Sequence, residues 1–235
     1  MLILILLVLF PLMVQSGGVP SSDRSREAIA RVKPKLESRM KQMGLEWGSP
    51  VFMRVFKEEK EFEVWIRKDS SFVLFRTYPV CEYGWGELGP KERRGDRQAP
   101  EGFYGVIPAR MNPYSRYHLS FDIGYPNTYD QYHKRTGGAL MVHGGCLSNG
   151  CFAMTDPLME EIYALVDAAF RNSTDTLSIH IFPFRMIPEK MKKHQNEKWT
   201  SFWQNLKEGY DFFGQHSNNP PVVEIRDGKY CFLKE

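Results

Sequence analysis

Short runs of apolar residues, some continuous and some alternating with polar residues, recur along the chain and predict a series of strands. Two neighbouring runs, residues 51–56 and 62–66, flank a charged turn and form a predicted hairpin. A second predicted hairpin flanks Asp227-Gly228, a dipeptide typical of two-residue turns. The remaining predicted strands cover residues 72–78, 103–107, 117–123, 139–143 and 177–182.

Helical periodicity is confined to three segments. Residues 23–43 form the first predicted helix. The second starts at Asp156, which is placed to cap it, and the third covers residues 188–207 and ends at Gly209. Since strands outnumber helices, the pattern predicts a mainly β (α+β) domain with packed helices at both ends and after the central motif.

The first residues form a different pattern, because residues 2–14 are nearly all apolar. At a helical rise of about 1.5 Å per residue, this run is too short to cross a hydrocarbon core of about 30 Å. Its length suits the apolar region of a signal peptide, although no Lys or Arg precedes it. We expect a signal peptide over residues 1–16, or up to residue 18, and an exported, periplasmic or cell-envelope protein.

Composition narrows the range of partners and of cysteine pairings. The formal net charge of the 235 residues is +3, and no basic block stands out, so no nucleic-acid partner is expected. In an exported protein the four cysteines can form disulfides. If Cys151 is a working thiol, at most one pair forms among Cys81, Cys146 and Cys231, and the sequence does not say which.

The candidate chemistry lies in residues 140–156, where an apolar run delivers His143 and a glycine-rich turn delivers Cys151. A thiol and an imidazole at one edge of a sheet are the parts of a cysteine nucleophile with its base. The backbone N–H groups of Gly150 and Cys151 are candidates for an oxyanion site. The carbonyl of Gly144 is placed to orient the imidazole.

Three other interpretations of this stretch stay open on the residues alone. Cys146 and Cys151 are five residues apart and would form a disulfide only with suitable turn geometry. His143 with the two cysteines would supply three metal ligands, although paired CxxC spacing is missing. The same residues would also serve as buried small side chains.

A linked set of motifs resembles the L,D-transpeptidase catalytic domain of the YkuD type, and most closely its YafK-like branch. The set comprises Gly102-x-Tyr104, Tyr125-Pro126-Asn127, residues 142–156, residues 179–186 and residues 207–211. The resemblance covers roughly residues 45–235, which we expect to form the catalytic domain behind a helical segment at residues 23–44. It implies an L,D-transpeptidase-like β-sandwich core with mixed strands and a C-terminal helical extension.

The resemblance also implies the reaction. Cys151 would take the acyl group of a peptidoglycan stem peptide as a thioester, with His143 as base and the Gly144 carbonyl orienting it. No cofactor is implied, and the partners would be the stem peptide and a wall-attached protein. The alternatives are a peptidoglycan hydrolase with the same chemistry, and a wall-binding or metal-binding module without catalysis.

The sequence departs from the family pattern near the nucleophile. Asn149 stands where the pattern has His, and the Arg usual after the cysteine is missing. The candidates for substrate binding are Ser148, Asn149 and Arg185, with Arg135 as a further cation.

Overall fold

The structure, a computed structural model, describes residues 18–234. The predicted signal peptide at residues 1–16 lies outside the described residues. The helices are α1 (Asp23–Gln42), α2 (Thr128–Tyr132), α3 (Asp156–Arg171), α4 (Pro188–Lys193) and α5 (Thr200–Gln215). None of the helices within residues 18–234 combines the length and apolarity needed to cross a membrane.

The strands form a five-stranded sheet, a four-stranded sheet and a hairpin. The five-stranded sheet has the order β3 (Ser71–Pro79), β2 (Glu61–Lys68), β1 (Val51–Phe56), β9 (Leu177–Phe182), β4 (Gly102–Val106). The four-stranded sheet has the order β5 (Met111–Asn112), β6 (Ser120–Asp122), β7 (Met141–His143), β8 (Phe152–Ala153). Strands β10 (Val222–Arg226) and β11 (Lys229–Leu233) form the C-terminal hairpin.

Parallel and antiparallel pairings occur in both large sheets. Strand β1 pairs in parallel with β9 and antiparallel with β2, while β7 pairs in parallel with β8 and antiparallel with β6. The predicted α+β fold, with a sandwich-like core of mixed strands and packed helices, is confirmed.

Alternating residues of the five-stranded sheet enter separate apolar clusters. Met53 and Ile179 belong to the main core, which the sheet shares with α3, the four-stranded sheet and, at its margin, Cys151. Phe56 and Phe182 belong to a second cluster, which α5 and the C-terminal hairpin cover. The sheet therefore has a catalytic-motif side and an opposite, C-terminal side.

Helix α5 continues past the predicted end at Gly209 because this glycine serves packing. A Cβ at Gly209 would lie 2.5 Å from the Phe232 ring and 2.6 Å from the Phe103 ring, so only glycine allows the helix to approach this closely. The predicted single helix over residues 188–207 is wrong, because α4 ends at Lys193 and α5 begins at Thr200.

Three further predictions near the central motif differ from the structure. The predicted strand over residues 117–123 is reduced to β6, and the strand predicted at 139–143 begins only at Met141. Asp156 does not cap α3: Thr155 occupies the N-cap position with φ 62°, and the Asp156 carboxylate accepts from the Gly145 N–H in the turn between β7 and β8. Tertiary contacts of the loop outweigh the local capping preference here.

Candidate active site

Strand pairing brings Cys151 beside the strand that carries His143. In the parallel ladder, Val142 lies opposite Phe152 and His143 lies opposite Ala153. Cys151 immediately precedes Phe152, and its Sγ accepts a hydrogen bond from the Met141 N–H at 3.4 Å. The thiol therefore lies level with Met141, which is two residues before His143 on β7. At a strand rise of about 3.3 Å per residue, this offset separates the thiol from the imidazole along the strand.

The imidazole of His143 is held in one tautomer. Its Nδ1–H donates to the Gly144 carbonyl at 2.6 Å, which leaves the Nε2 lone pair as the basic site. The side chain is 3% exposed, and the Tyr117 ring lies 4.7 Å from it between centroids. Burial lowers the pKa of His143, and the hydrogen bond to Gly144 offsets part of that effect. The imidazole is therefore neutral near pH 7 and able to accept a proton.

Cys151 is half-buried and is a free thiol. Burial raises the pKa of Cys151, the Met141 N–H lowers it in part, and the carboxylate of Asp122 adds to the rise. Within residues 18–234, the hydrogen-bond partners of Sγ are backbone groups of Met141 and Ala139, and no hydrogen bond joins Sγ to His143. Catalytic hydrogen bonds often form fully only when substrate is bound, so this geometry is compatible with a nucleophile–base pair.

Backbone hydrogen bonds fix the turn between the two residues. The Gly144 N–H donates to the carbonyls of Tyr117 and Leu119, at 3.0 and 3.1 Å. The Gly145 N–H donates to Asp156 Oδ1 at 2.7 Å, and the Gly145 carbonyl accepts from the Thr155 N–H at 2.8 Å. A Cβ at Gly144 would lie 2.5 Å from Asp156 Oδ1, so this position requires glycine.

A disulfide attaches this turn to the segment that follows β3. Cys81 is bonded to Cys146, with a Cα–Cα distance of 5.5 Å, while Cys151 and Cys231 are free. The alternative of a Cys146–Cys151 disulfide is therefore wrong. The pairing leaves the candidate nucleophile available for chemistry.

The other predicted residues of the turn have distinct places. The Ser148 hydroxyl donates to the Cys151 carbonyl at 2.7 Å and accepts from the Gly150 N–H at 3.2 Å. Gly150 adopts φ 118°, and a Cβ there would lie 3.0 Å from the Gln98 carbonyl oxygen. Asn149 is exposed on the turn. Ser148 thus braces the turn, and an oxyanion would have to replace its hydroxyl to use the Gly150 N–H.

The two predicted cations are engaged elsewhere. Arg185 forms ion pairs with Glu61 and Glu63 on β2, in the five-stranded sheet. Arg135 donates to Asp130 at 2.8 Å and is almost fully buried. The structure therefore does not bring either guanidinium to Cys151.

Three residues that the sequence did not single out belong to this environment. Tyr117 packs on the His143 ring, and the charges of Asp122 and Lys91 act on the Cys151 thiol in opposite directions. Asp122 lies opposite Met141 in the β6–β7 ladder, a register that alternation alone does not reveal. Within residues 18–234, no group of three or more His, Cys, Asp or Glu side chains is arranged to hold a metal ion.

Comparison with known proteins identifies the family. Residues 52–181 match the YkuD family model, the L,D-transpeptidase catalytic domain. The chain is also 36% identical over 232 residues to the putative L,D-transpeptidase YafK of Escherichia coli K12, covering 99% of this chain and 89% of the relative. The chain belongs to the L,D-transpeptidase family. The predicted YkuD-type resemblance and its YafK-like branch are thereby confirmed.

Solved structures with a similar arrangement are more distant. The helical cell shape determining protein Pgp2 of Campylobacter jejuni is 18% identical, with a TM-score of 0.45, over 82% of this chain and 80% of that chain. A mutant form of Pgp2 gives 16% identity and a TM-score of 0.47, over 77% of this chain and 73% of that chain.

Membership of the L,D-transpeptidase family supports a peptidoglycan-related transpeptidase role and an envelope location for this protein. The family match spans β1 to β9 and so includes both His143 and Cys151. The helix α5 and the C-terminal hairpin follow the matched region.

Proposed function

We propose that this protein is an exported cysteine acyl-transferase that acts on peptidoglycan stem peptides through a thioester at Cys151. The observation that carries the proposal is the pairing of β7 with β8, which sets a free thiol beside a strand ending in a tautomer-fixed imidazole. In this proposal residues 45–235 form the catalytic domain, residues 23–44 a helical segment, and residues 1–16, or up to 18, a signal peptide.

The proposed reaction has two steps. His143 Nε2 accepts the Cys151 proton as Sγ attacks a stem-peptide carbonyl; the C–S bond forms, and the amide C–N bond breaks as the imidazolium protonates the leaving amine. An acceptor amine then attacks the thioester, with His143 taking its proton, and the thiol is restored. The oxyanion displaces the Ser148 hydroxyl from the Gly150 N–H and is stabilised by the backbone N–H groups of Gly150 and Cys151. The acceptor is another stem peptide or a wall-attached protein.

The raised pKa of Cys151 and the lowered pKa of His143 support a neutral thiol and a neutral imidazole in the resting enzyme. Proton transfer then accompanies attack, in contrast to a preformed thiolate–imidazolium pair. Ser148 and Asn149 line the turn beside the thiol, where they would contact the bound stem peptide.

Intact-mass analysis with a carbapenem-type acylating agent tests the thioester step. We expect one covalent adduct on the wild type and on Cys231→Ser, none on Cys151→Ala, and a strongly slowed reaction on His143→Gln. An adduct on Cys151→Ala equal to that of the wild type would contradict the proposal.

Product analysis on isolated peptidoglycan tests the transfer step. We expect new cross-links or newly attached peptides when wild-type protein is added, and no product with Cys151→Ala. Release of peptides without any transfer product would show that water is the acceptor and that the protein is a hydrolase.

A further inference from the structure

An open cavity lies on the same face of the four-stranded sheet as the thiol. Met141 on β7 lies level with Cys151 and directly opposite Asp122 on β6. Because residues opposite each other in a ladder share a face of the sheet, these three form a row across it. His143 lies two residues from Met141 and therefore shares that face. The cavity encloses about 480 Å³, and Asp122 and Met141 both line it.

The row of residues determines how far the cavity lies from the reacting atoms. Neighbouring strands are about 4.8 Å apart, so Asp122 lies about 10 Å from Cys151 across the sheet. An amine that attacks the thioester has to reach the acyl carbon on Cys151, so a group held at Asp122 is not the attacking amine. It belongs instead to a part of the substrate that extends over Met141.

Asp122 offers that part of the substrate a carboxylate oxygen. Its Oδ1 accepts a hydrogen bond from the Gly124 N–H at 2.7 Å, and within residues 18–234 no hydrogen bond or ion pair involves Oδ2. Burial raises the pKa of Asp122, while the Gly124 N–H and the charge of Arg110 offset part of that rise. A partly desolvated carboxylate with a free oxygen is stabilised by a bound ammonium group.

The cation of the cavity is Arg110, which lies against Gly124. Its Nη1 donates to the Gly105 carbonyl, and a Cβ placed on Gly124 would lie 2.2 Å from that nitrogen. Among the described residues, Arg110 forms no ion pair with Asp122, although its charge acts on that carboxylate. A cation and an anion that line one cavity without pairing complement a zwitterion, in which an ammonium group and a carboxylate are adjacent.

We propose that this cavity binds a free amino-acid end on the side chain of the acyl-donor residue. Asp122 accepts from the ammonium group, Arg110 donates to the carboxylate, and the methylene groups of the side chain lie over Met141. The inference rests on the proposed function, because it names the kind of stem-peptide residue that forms the thioester at Cys151: a diamino diacid with one amino-acid centre left free.

The span agrees with this class of residue. In a linear diamino acid, the extended path from the carbonyl carbon to the remote nitrogen covers about 7 Å, and a charge-assisted hydrogen bond adds about 2.8 Å. Together they match the distance between Cys151 and Asp122 across the sheet.

Calorimetric titration of the Cys151→Ala full chain with three tetrapeptides tests the proposal without acylation. The peptides differ only in the acyl-donor residue, which is meso-diaminopimelate, lysine or norleucine, so that its side chain ends in a zwitterion, an ammonium group or a methyl group. We expect the diaminopimelate peptide to bind at least about tenfold more tightly than the norleucine peptide, with the lysine peptide between them, because charge-assisted contacts are lost in turn.

Substitutions in the same background assign the two charges. Asp122→Asn keeps an acceptor for the Gly124 N–H and should weaken the diaminopimelate and lysine peptides at least about tenfold, without changing the affinity for the norleucine peptide. Arg110→Gln should weaken the diaminopimelate peptide alone. The control Asp175→Asn, in the exposed loop before β9, should change none of the three affinities. Thermal unfolding checks that each variant is folded.

Three results would overturn the proposal: equal affinities for the diaminopimelate and norleucine peptides, no binding of any peptide, or an equal loss for all three peptides on Asp122→Asn. The carbapenem adduct on wild-type Cys151 separates this failure from that of the proposed function. If the adduct forms, any of these results rejects the amino-acid site alone, whereas absence of the adduct rejects the thioester itself.

Discussion

Cys151 and His143 differ in how their environments change their acidity. Burial raises the pKa of the thiol and lowers the pKa of the imidazole, so both groups are held in their neutral forms near pH 7. The Gly144 carbonyl selects the tautomer in which Nε2 accepts the proton. The two side chains therefore have the protonation states that allow the imidazole to act as general base while the thiol attacks.

The pH dependence of alkylation checks this assignment. In a Cys231→Ser background, the rate of Cys151 alkylation by iodoacetamide should rise with pH and reach its midpoint above the ordinary cysteine pKa of about 8.5, because only the thiolate reacts. Asp122→Asn should move the midpoint to lower pH, because its carboxylate raises the pKa of Cys151.

Asp175→Asn is the matched control, since Asp175 is exposed in the loop before β9. It should leave the midpoint unchanged. A wild-type midpoint below that of a free cysteine would show that the thiolate is already stabilised in the resting protein, contrary to the neutral pair.

At the scale of elements, the turn between β7 and β8 is fixed at several points. Its backbone binds the segment before β6 and the first residue of α3, and Cys146 joins it to Cys81. Cys81 in turn donates its N–H to the Ala153 carbonyl at 2.8 Å. The disulfide therefore reinforces an attachment that backbone hydrogen bonds already make beside the thiol.

Removing the disulfide should destabilise the protein. The bond closes a chain segment of 65 residues, and the loss of that constraint on the unfolded chain corresponds to about 2–4 kcal/mol. Urea unfolding of the Cys81→Ser/Cys146→Ser protein should show this decrease in the free energy of unfolding, together with slower acylation of Cys151.

Cys231→Ser provides the comparison, because it removes a half-buried free thiol without breaking a bond. A double variant no less stable than Cys231→Ser would mean that the backbone contacts alone hold the turn.

At the scale of the whole molecule, one buried ion pair joins the two sides of the five-stranded sheet. Lys57 and Glu101 are both 0% exposed and lie 2.9 Å apart. Lys57 also donates to the carbonyls of Gly89 and Ala99, while Glu101 accepts from the Gly89 N–H and from Trp203 on α5. The loop that runs from Gly89 to Glu101 also lies against the turn between β7 and β8, because a Cβ placed on Gly150 would be 3.0 Å from the Gln98 carbonyl oxygen.

Breaking this pair should cost more stability than breaking an exposed pair. Glu101→Gln leaves the Lys57 charge buried without a counter-charge, and we expect the free energy of unfolding to fall by about 3–5 kcal/mol in urea titrations. Lys198→Gln breaks the exposed pair with Glu92 and should change the free energy of unfolding by about 1 kcal/mol or less. Equal effects of the two substitutions would show that the buried pair is not a structural link.

The local sequence determined those features that depend on neighbouring residues. Short apolar or alternating runs predicted β1, β2, β3 and β9, and the Asp227-Gly228 turn predicted the final hairpin, because side-chain pattern and turn conformation are local properties. The spacing of His143, Gly144 and Cys151 likewise identified the candidate chemistry, and its linked motifs identified the family.

Only the tertiary structure decided what depends on residues far apart in the chain. The choice of Cys81 as partner of Cys146, the register that sets Asp122 opposite Met141, and the engagement of Arg185 by Glu61 all arise from packing between distant segments. The predicted helix end at Gly209 was wrong for the same reason. Glycine is needed there because the aromatic rings of Phe103 and Phe232 pack against it, and not because the helix ends. Long-range contacts select among local alternatives that the sequence leaves nearly equal in free energy.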